Sequence, residues 1–148
     1  MNDRNVDFDE LEKIFDYYHD GYQCAQVMLL YALEALEKED PDLIRAAGGL
    51  NSGISEYRSV CGCLSGGACL LSYFAGKGSA QETVHPEYKE MAAELYDWFR
   101  EFNEDTGGSV ICTDLLGNDF TQRARVCPIL ISHTLQKCLE ILERRGLI

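Results

Sequence analysis

Three of the seven cysteines fall within nine residues, in Val60-Cys61-Gly62-Cys63-Leu64-Ser65-Gly66-Gly67-Ala68-Cys69-Leu70-Leu71. The same stretch holds Gly62, Gly66 and Gly67 and runs into the apolar residues Leu70, Leu71, Tyr73 and Phe74. This pattern predicts the entry into a buried central helix over 60–75, with thiols presented at its N-terminal end. Gly62 and Gly66 stand four apart and so share a helix face. Each glycine costs roughly 1 kcal/mol of helix propensity relative to alanine. A bare face in a buried helix points to close approach by another backbone, or to a site.

The rest of the chain reads as helices around this one. Phe8, Leu11, Ile14, Phe15 and Tyr18 form one side of a short amphipathic helix over 7–18, and Asp20-Gly21 ends it or starts the next. Cys24, Met28, Ala32 and Leu36 recur every four residues in a second helix over 22–38, widened by Leu29 and Leu33. Asp40-Pro41 breaks the chain and opens a short helix over 41–47, with proline in its first turn. Gly48-Gly49-Leu50-Asn51-Ser52-Gly53 reads as a flexible turn. After Gly76-Lys77-Gly78, the spacing predicts the longest helix over 86–103, with Tyr88, Met91, Ala92, Leu95, Trp98, Phe99 and Phe102 inward. A short helix over 109–116 follows. Val126-Cys127-Pro128 opens the last one, whose stripe is Cys127, Ile131, Leu135, Cys138 and Leu142. No period-2 run is long enough for a strand. The expectation is an all-α, compact single-domain bundle over 1–148 of about five to seven helices, with cysteines at helix N-termini.

Charge narrows the function. With 25 acidic and 13 basic residues the net charge is −12. Such a chain is a poor ligand for nucleic acid or an anionic membrane. The first residues, MNDRNVDFDELEK, hold no apolar core of the kind a signal peptide needs, and no apolar run approaches the ~20 residues that span a bilayer. The expected location is the cytoplasm, a reducing compartment. Seven cysteines there point to redox chemistry, metal binding or plain burial, not to a disulfide scaffold.

Cys24, Cys61, Cys112 and Cys127 each fall at an expected helix start. Helix N-termini carry partial positive charge and unpaired N–H groups, which favour a thiolate and lower a thiol pKa from about 8.5. Taken singly, each reads as a small core hydrophobe sooner than as a site; four of four at helix starts favours a site. Cys63 forms a Cys-Gly-Cys pair with Cys61, suited to a strained disulfide or a soft metal. Cys69 and Cys138 lie mid-helix among apolar residues and read as core. His19 reads as solvated, His85 as a loop residue, and His133, off the apolar stripe, as exposed. The spacing matches neither a zinc ribbon nor a ferredoxin, so any joint site is assembled by the fold.

Several of these segments together carry a family resemblance: Tyr22-Gln23-Cys24-Ala25-Gln26, Gly48-Gly49, Gly53, Cys61-Gly62-Cys63-Leu64-Ser65-Gly66-Gly67, Cys112-Thr113-Asp114-Leu115-Leu116-Gly117 and Cys127-Pro128. In their order and spacing the chain resembles the C-GCAxxG-C-C family of putative redox-active proteins, over about 21–142. The resemblance places the family's four shared cysteines on Cys24, Cys61, Cys112 and Cys127. It departs at Cys63, where relatives usually carry alanine, and an alternative register makes Cys63 the motif cysteine. Cys69 and Cys138 are additions to the pattern.

Three functions stay open at this stage. The first is thiol–disulfide or electron-transfer chemistry on Cys24, Cys61, Cys63, Cys112 and Cys127, with a partner protein or a small thiol or disulfide of unknown identity. The second is a metal module in which Cys24, Cys61, Cys112 and Cys127 ligate zinc or an iron–sulfur cluster. The third is a helical interaction protein with structural cysteines. Homo-oligomerisation and the presence of any cofactor are left open.

Overall fold

A computed structural model describes residues 7–148. Residues 1–6, part of the stretch in which no apolar signal-peptide core was expected, lie outside the described residues. Among the described residues seven α-helices follow one another: α1 (Phe8–His19), α2 (Cys24–Ala35), α3 (Pro41–Ala47), α4 (Gly62–Ala75), α5 (Tyr88–Phe102), α6 (Cys112–Leu115) and α7 (Arg123–Arg144). Their starts follow local chemistry. Asp7 caps α1 by accepting from the Asp9 and Glu10 amides at 3.0 and 3.2 Å. Asp40 caps α3 by accepting from the Leu43 amide at 3.0 Å, with Pro41 at its first position. Among the described residues the only pairing of extended backbone is an isolated antiparallel bridge, Val60 with Ile111, so the fold is all-α as expected.

The central helix is α4. It packs on α2 most extensively, then on α7 and α5, and Leu70 and Leu71 are fully buried. Its glycines are contact surfaces. A Cβ on Gly62 would overlap the Cys24 sulfur, and one on Gly66 would lie 2.8 Å from the Ala25 Cα and 3.1 Å from the Ala25 carbonyl. The bare face foreseen at Gly62 and Gly66 is therefore where α2 and α4 touch backbone to backbone. Gly67 faces the other way, toward Cys138, Thr134 and Leu95 on α7 and α5.

Several sequence expectations are corrected. The longest helix is α7, with 22 residues, and not α5, with 15. It starts at Arg123, so Pro128 sits inside it, where the missing N–H removes one helical bond near the start. The helix expected over 109–116 shrinks to Cys112–Leu115, because Ser59 to Cys61 and Val110 to Cys112 pair first: the Cys61 amide donates to Val110 O at 2.8 Å and the Cys112 amide to Ser59 O at 2.7 Å. His133 is half-buried, with its ring 4.9 Å from that of Phe102. Cys69 is half-buried at the edge of the core, whereas Cys138 is fully buried as expected.

The turn read as flexible is the largest departure. Asn51, Ser52 and Gly53 are buried. From Ser52 the backbone turns left-handed, with positive φ at Ser52, Gly53, Ile54, Ser55, Glu56 and Arg58. Backbone bonds cross the turn, from Ser55 N to Gly49 O at 3.0 Å, Arg58 N to Ser52 O at 2.9 Å and Ser59 N to Gly53 O at 2.9 Å. Left-handed backbone costs a residue with a Cβ roughly 1–2 kcal/mol, so this segment is held in place by what surrounds it.

Two stability predictions follow from these contacts. Gly66→Ala should lower unfolding free energy by about 1–3 kcal/mol, read as a lower denaturant midpoint, because backbone and not a flexible side chain blocks the added methyl. Ile54→Gly should raise it by about 1 kcal/mol, since a β-branched residue at φ 64° is relieved of strain at a position that is 43% exposed. A fall in midpoint for Ile54→Gly would contradict the strain argument.

Candidate functional site

The site is built on the N-terminus of α2. Asn51 reaches across from the left-handed turn, and its Oδ1 accepts from the Ala25 amide at 3.1 Å and the Gln26 amide at 3.4 Å. Asn51 Nδ2 donates to Gln26 Oε1 at 2.9 Å, and Gln26 Nε2 donates to Ile44 O at 3.2 Å. Ser52 Oγ donates to Gln23 Oε1 at 2.7 Å, and the Ser52 amide points at Cys24 Sγ, 3.5 Å away. A buried turn thus caps α2 from outside and fixes the Cys24 thiol against Gly62.

Cys24, Cys61, Cys63, Cys112 and Cys127 all line one small cavity of about 20 Å³, with Tyr18, Gln23, Ser52, Gly62, Leu116, Phe120 and Arg123. That volume holds about one water molecule. The fold therefore brings together every cysteine singled out as a site candidate, from α2, α4, α6 and α7. Cys69 and Cys138 do not line the cavity. All seven cysteines are free thiols. A larger groove lies elsewhere, between α1, α2 and α3, and includes none of the cysteines.

The positions differ in one respect from the sequence reading. Cys24 is the first residue of α2, Cys61 the N-cap of α4 and Cys112 the first residue of α6. Cys127, however, is the fifth residue of α7 and caps nothing. Its place at the cavity comes from the helix beginning a turn earlier than the Cys-Pro pair suggests.

The acidities separate one thiol from the rest. The Cys63 S–H donates to the Cys61 sulfur and holds the Cys61 pKa below the usual thiol value despite burial. The Cys63 and Leu64 amides add to this; they lie close to the sulfur, although neither makes a cap bond of ordinary geometry. Cys63, as the donor, is pushed well above the usual value, first by that bond and then by burial. Burial pushes Cys24 up to about 11, against the Ser52 amide, with the Cys61 charge adding to the rise. Cys127 is pushed up to about 12 by burial and by the charges of Cys24, Cys61 and Cys112, against Arg123. Cys112 is raised by burial and the Cys61 charge, against Arg58. The expectation that all four helix-start cysteines are acidified is corrected to Cys61 alone. Tyr18 shares the cavity, and burial followed by the neighbouring sulfur charges raises its hydroxyl.

The four-thiolate metal reading meets the same geometry. Among the described residues no three or more His, Cys, Asp and Glu side chains stand where they could hold a metal ion. The cavity is also far too small for an iron–sulfur cluster with its walls as they are. Zinc or a cluster on Cys24, Cys61, Cys112 and Cys127 does not fit this arrangement.

Sequence reasoning missed several residues here. Asn51, Ser52 and Gln26 position Cys24; Gln26 lay inside a quoted motif and Asn51 inside the supposed loose turn, but no spacing revealed their pairing. Phe120, from the turn before α7, carries the Arg58 guanidinium 4.1 Å from its ring centroid and that of Arg123 at 4.9 Å. Nothing local in the sequence links Arg58 to Phe120.

A protein-family model described as "Putative redox-active protein (C_GCAxxG_C_C)" matches residues 22–141. No curated protein and no solved structure matches the chain. Among the described residues no helix is long and apolar enough to cross a membrane.

The shared proton predicts a pH signature. Alkylation of Cys61, followed by mass spectrometry, should rise with pH through a midpoint below the ordinary thiol value of about 8.5. Cys63→Ala removes the donor, so the midpoint should move to higher pH. Cys63→Ser keeps a donor and should restore part of the shift. Equal midpoints in all three proteins would show that Cys63 does not acidify Cys61.

Proposed function

The chain belongs to the C_GCAxxG_C_C family of putative redox-active proteins, and on that premise we propose that it is a cytoplasmic thiol–disulfide redox protein with Cys61 as its nucleophile. The observation that carries this reading is the single cavity lined by Cys24, Cys61, Cys63, Cys112 and Cys127. One buried cysteine needs no function. Five drawn from four helices around a space for one water do.

The chemistry is exchange through a mixed disulfide. The Cys61 thiolate attacks one sulfur of a disulfide R–S–S–R′. A Cys61–S–R bond forms as the S–S bond breaks, and R′–S⁻ leaves with the electron pair and is protonated from the medium. Cys63 then loses its proton and attacks the Cys61 sulfur, and R–S⁻ leaves. The protein ends with a Cys61–Cys63 disulfide, oxidised by two electrons, and the substrate is reduced to two thiols. Cys24, Cys112 and Cys127 face the same space and can take over one end of that bond by the same exchange, carrying it toward the half-buried Cys127. A partner dithiol or a small thiol returns the protein to the reduced form.

Anaerobic purification, metal analysis and a free-thiol count before and after a small disulfide test this. The expected outcome is metal-free protein that loses a pair of thiols reversibly. Cys61→Ser should abolish the loss, and Cys69→Ser, outside the cavity, should leave it intact. Stoichiometric zinc or iron, or an unchanged thiol count, would sink the proposal.

A further inference from the structure

The rim of the thiol cavity is basic, in a chain whose net charge is −12. Phe120 and Arg123 are part of the cavity lining. Two exposed guanidiniums gather on the Phe120 ring, Arg58 from the left-handed turn and Arg123 from the start of α7. Each is tied to one of the cysteines. Arg123 stands four residues before Cys127, one turn away on the same face of α7. The Arg58 carbonyl accepts from the Thr113 amide at 3.3 Å and the Thr113 hydroxyl at 3.2 Å, beside Cys112.

These cations are not committed elsewhere. Among the described residues neither Arg58 nor Arg123 has a carboxylate within ion-pairing distance, whereas Lys13, Arg45, Lys137, Arg144 and Arg145 each do. The acid nearest Arg123 in sequence, Asp119, turns its oxygens to Thr121 and Gln122, and the one nearest Arg58 is Glu56, two residues before it. Stacking on Phe120 leaves the edges of each guanidinium, which carry its N–H donors, free for a planar anion. The cavity itself admits little more than a sulfur atom, so any charged group on a substrate must stay at the rim.

We propose that Arg58 and Arg123, stacked on Phe120, select a small disulfide that carries carboxylates, holding a carboxylate at the rim while its sulfur enters the cavity. This deepens the thiol–disulfide reading and rests on it. The class excludes cationic disulfides, which the two arginines repel, and gives neutral ones no anchor.

Reduced protein is mixed with three disulfides of similar size: 3,3′-dithiodipropionate, cystamine and 2-hydroxyethyl disulfide. Each rate is divided by the rate of that disulfide with dithiothreitol, which removes intrinsic reactivity. The normalised rate should favour the dicarboxylate over cystamine by about tenfold or more, the low end of what a charged cleft contributes. Added salt should shrink that ratio in the unaltered protein. In the paired variant Arg58→Gln and Arg123→Gln the ratio should fall toward that of dithiothreitol, while Arg58→Lys with Arg123→Lys should keep most of it. Exchange with all three disulfides and no preference, or a preference that the glutamine pair retains, overturns this inference and leaves the thiol–disulfide reading standing. No exchange with any of them overturns both.

Discussion

Where α2 crosses α4, the space that side chains of α4 would occupy is already taken by atoms of α2. Gly66 meets the main chain of Ala25, and Gly62 meets the sulfur of Cys24. The crossing sets the distance between the starts of the two helices, and those starts carry Cys24 and Cys61. With larger residues at the crossing the helices would stand apart, and the cavity between the thiols would open. The weak helix propensity of Gly62, Gly66 and Gly67 is the cost of that proximity, offset by burial of Leu70 and Leu71 further along the same helix.

Two opposing effects then decide how the thiols differ. A helix N-terminus favours a thiolate by roughly 0.3–1 kcal/mol, and up to about 2 in a partly buried site. Burial can move a pKa by up to about 3–5 units, each worth about 1.4 kcal/mol. Burial therefore wins at Cys24, pushed up to about 11 at the start of α2, and at Cys127, inside α7, no helix start opposes the rise to about 12. At Cys61 the balance reverses because a third contribution enters, the S–H of Cys63. A negative charge on Cys61 in turn makes a second ionisation among its neighbours harder, so the five sulfurs behave as one titrating cluster rather than five independent thiols.

Much of this was legible in the residues. Periodicity gave the helices, because amphipathic stripes such as Met91, Leu95 and Phe99 depend only on local spacing. The cysteines that line the cavity were picked out by their positions near helix starts. The start of α7 was misread, since a Cys-Pro pair usually marks a first turn, and here Arg123 to Cys127 add a turn ahead of the proline. The turn around Gly53 was read as loose because glycine and serine there permit many conformations. Only its buried contacts with α2 select the left-handed one, and those lie about 25–29 residues away in sequence, beyond any local pattern. The acidity of each thiol was the least legible, because it depends on burial and on neighbours that only the fold supplies.

The cavity consequently has walls of unequal stiffness. On one side Cys24 and Cys61 sit on helices that meet at Gly62 and Gly66, with the Ala25 main chain against Gly66 and the Cys24 and Met28 side chains beside it. On the other, Cys127 stands in the opening turns of α7, where Pro128 withholds a rung of the helical ladder, and Phe120 belongs to a short turn whose bonds are mostly to its own neighbours. The wall with fewer backbone ties is thus the one that carries the aromatic ring and its two arginines, while the inner pair of thiols rests on the tightest helix contact in the fold.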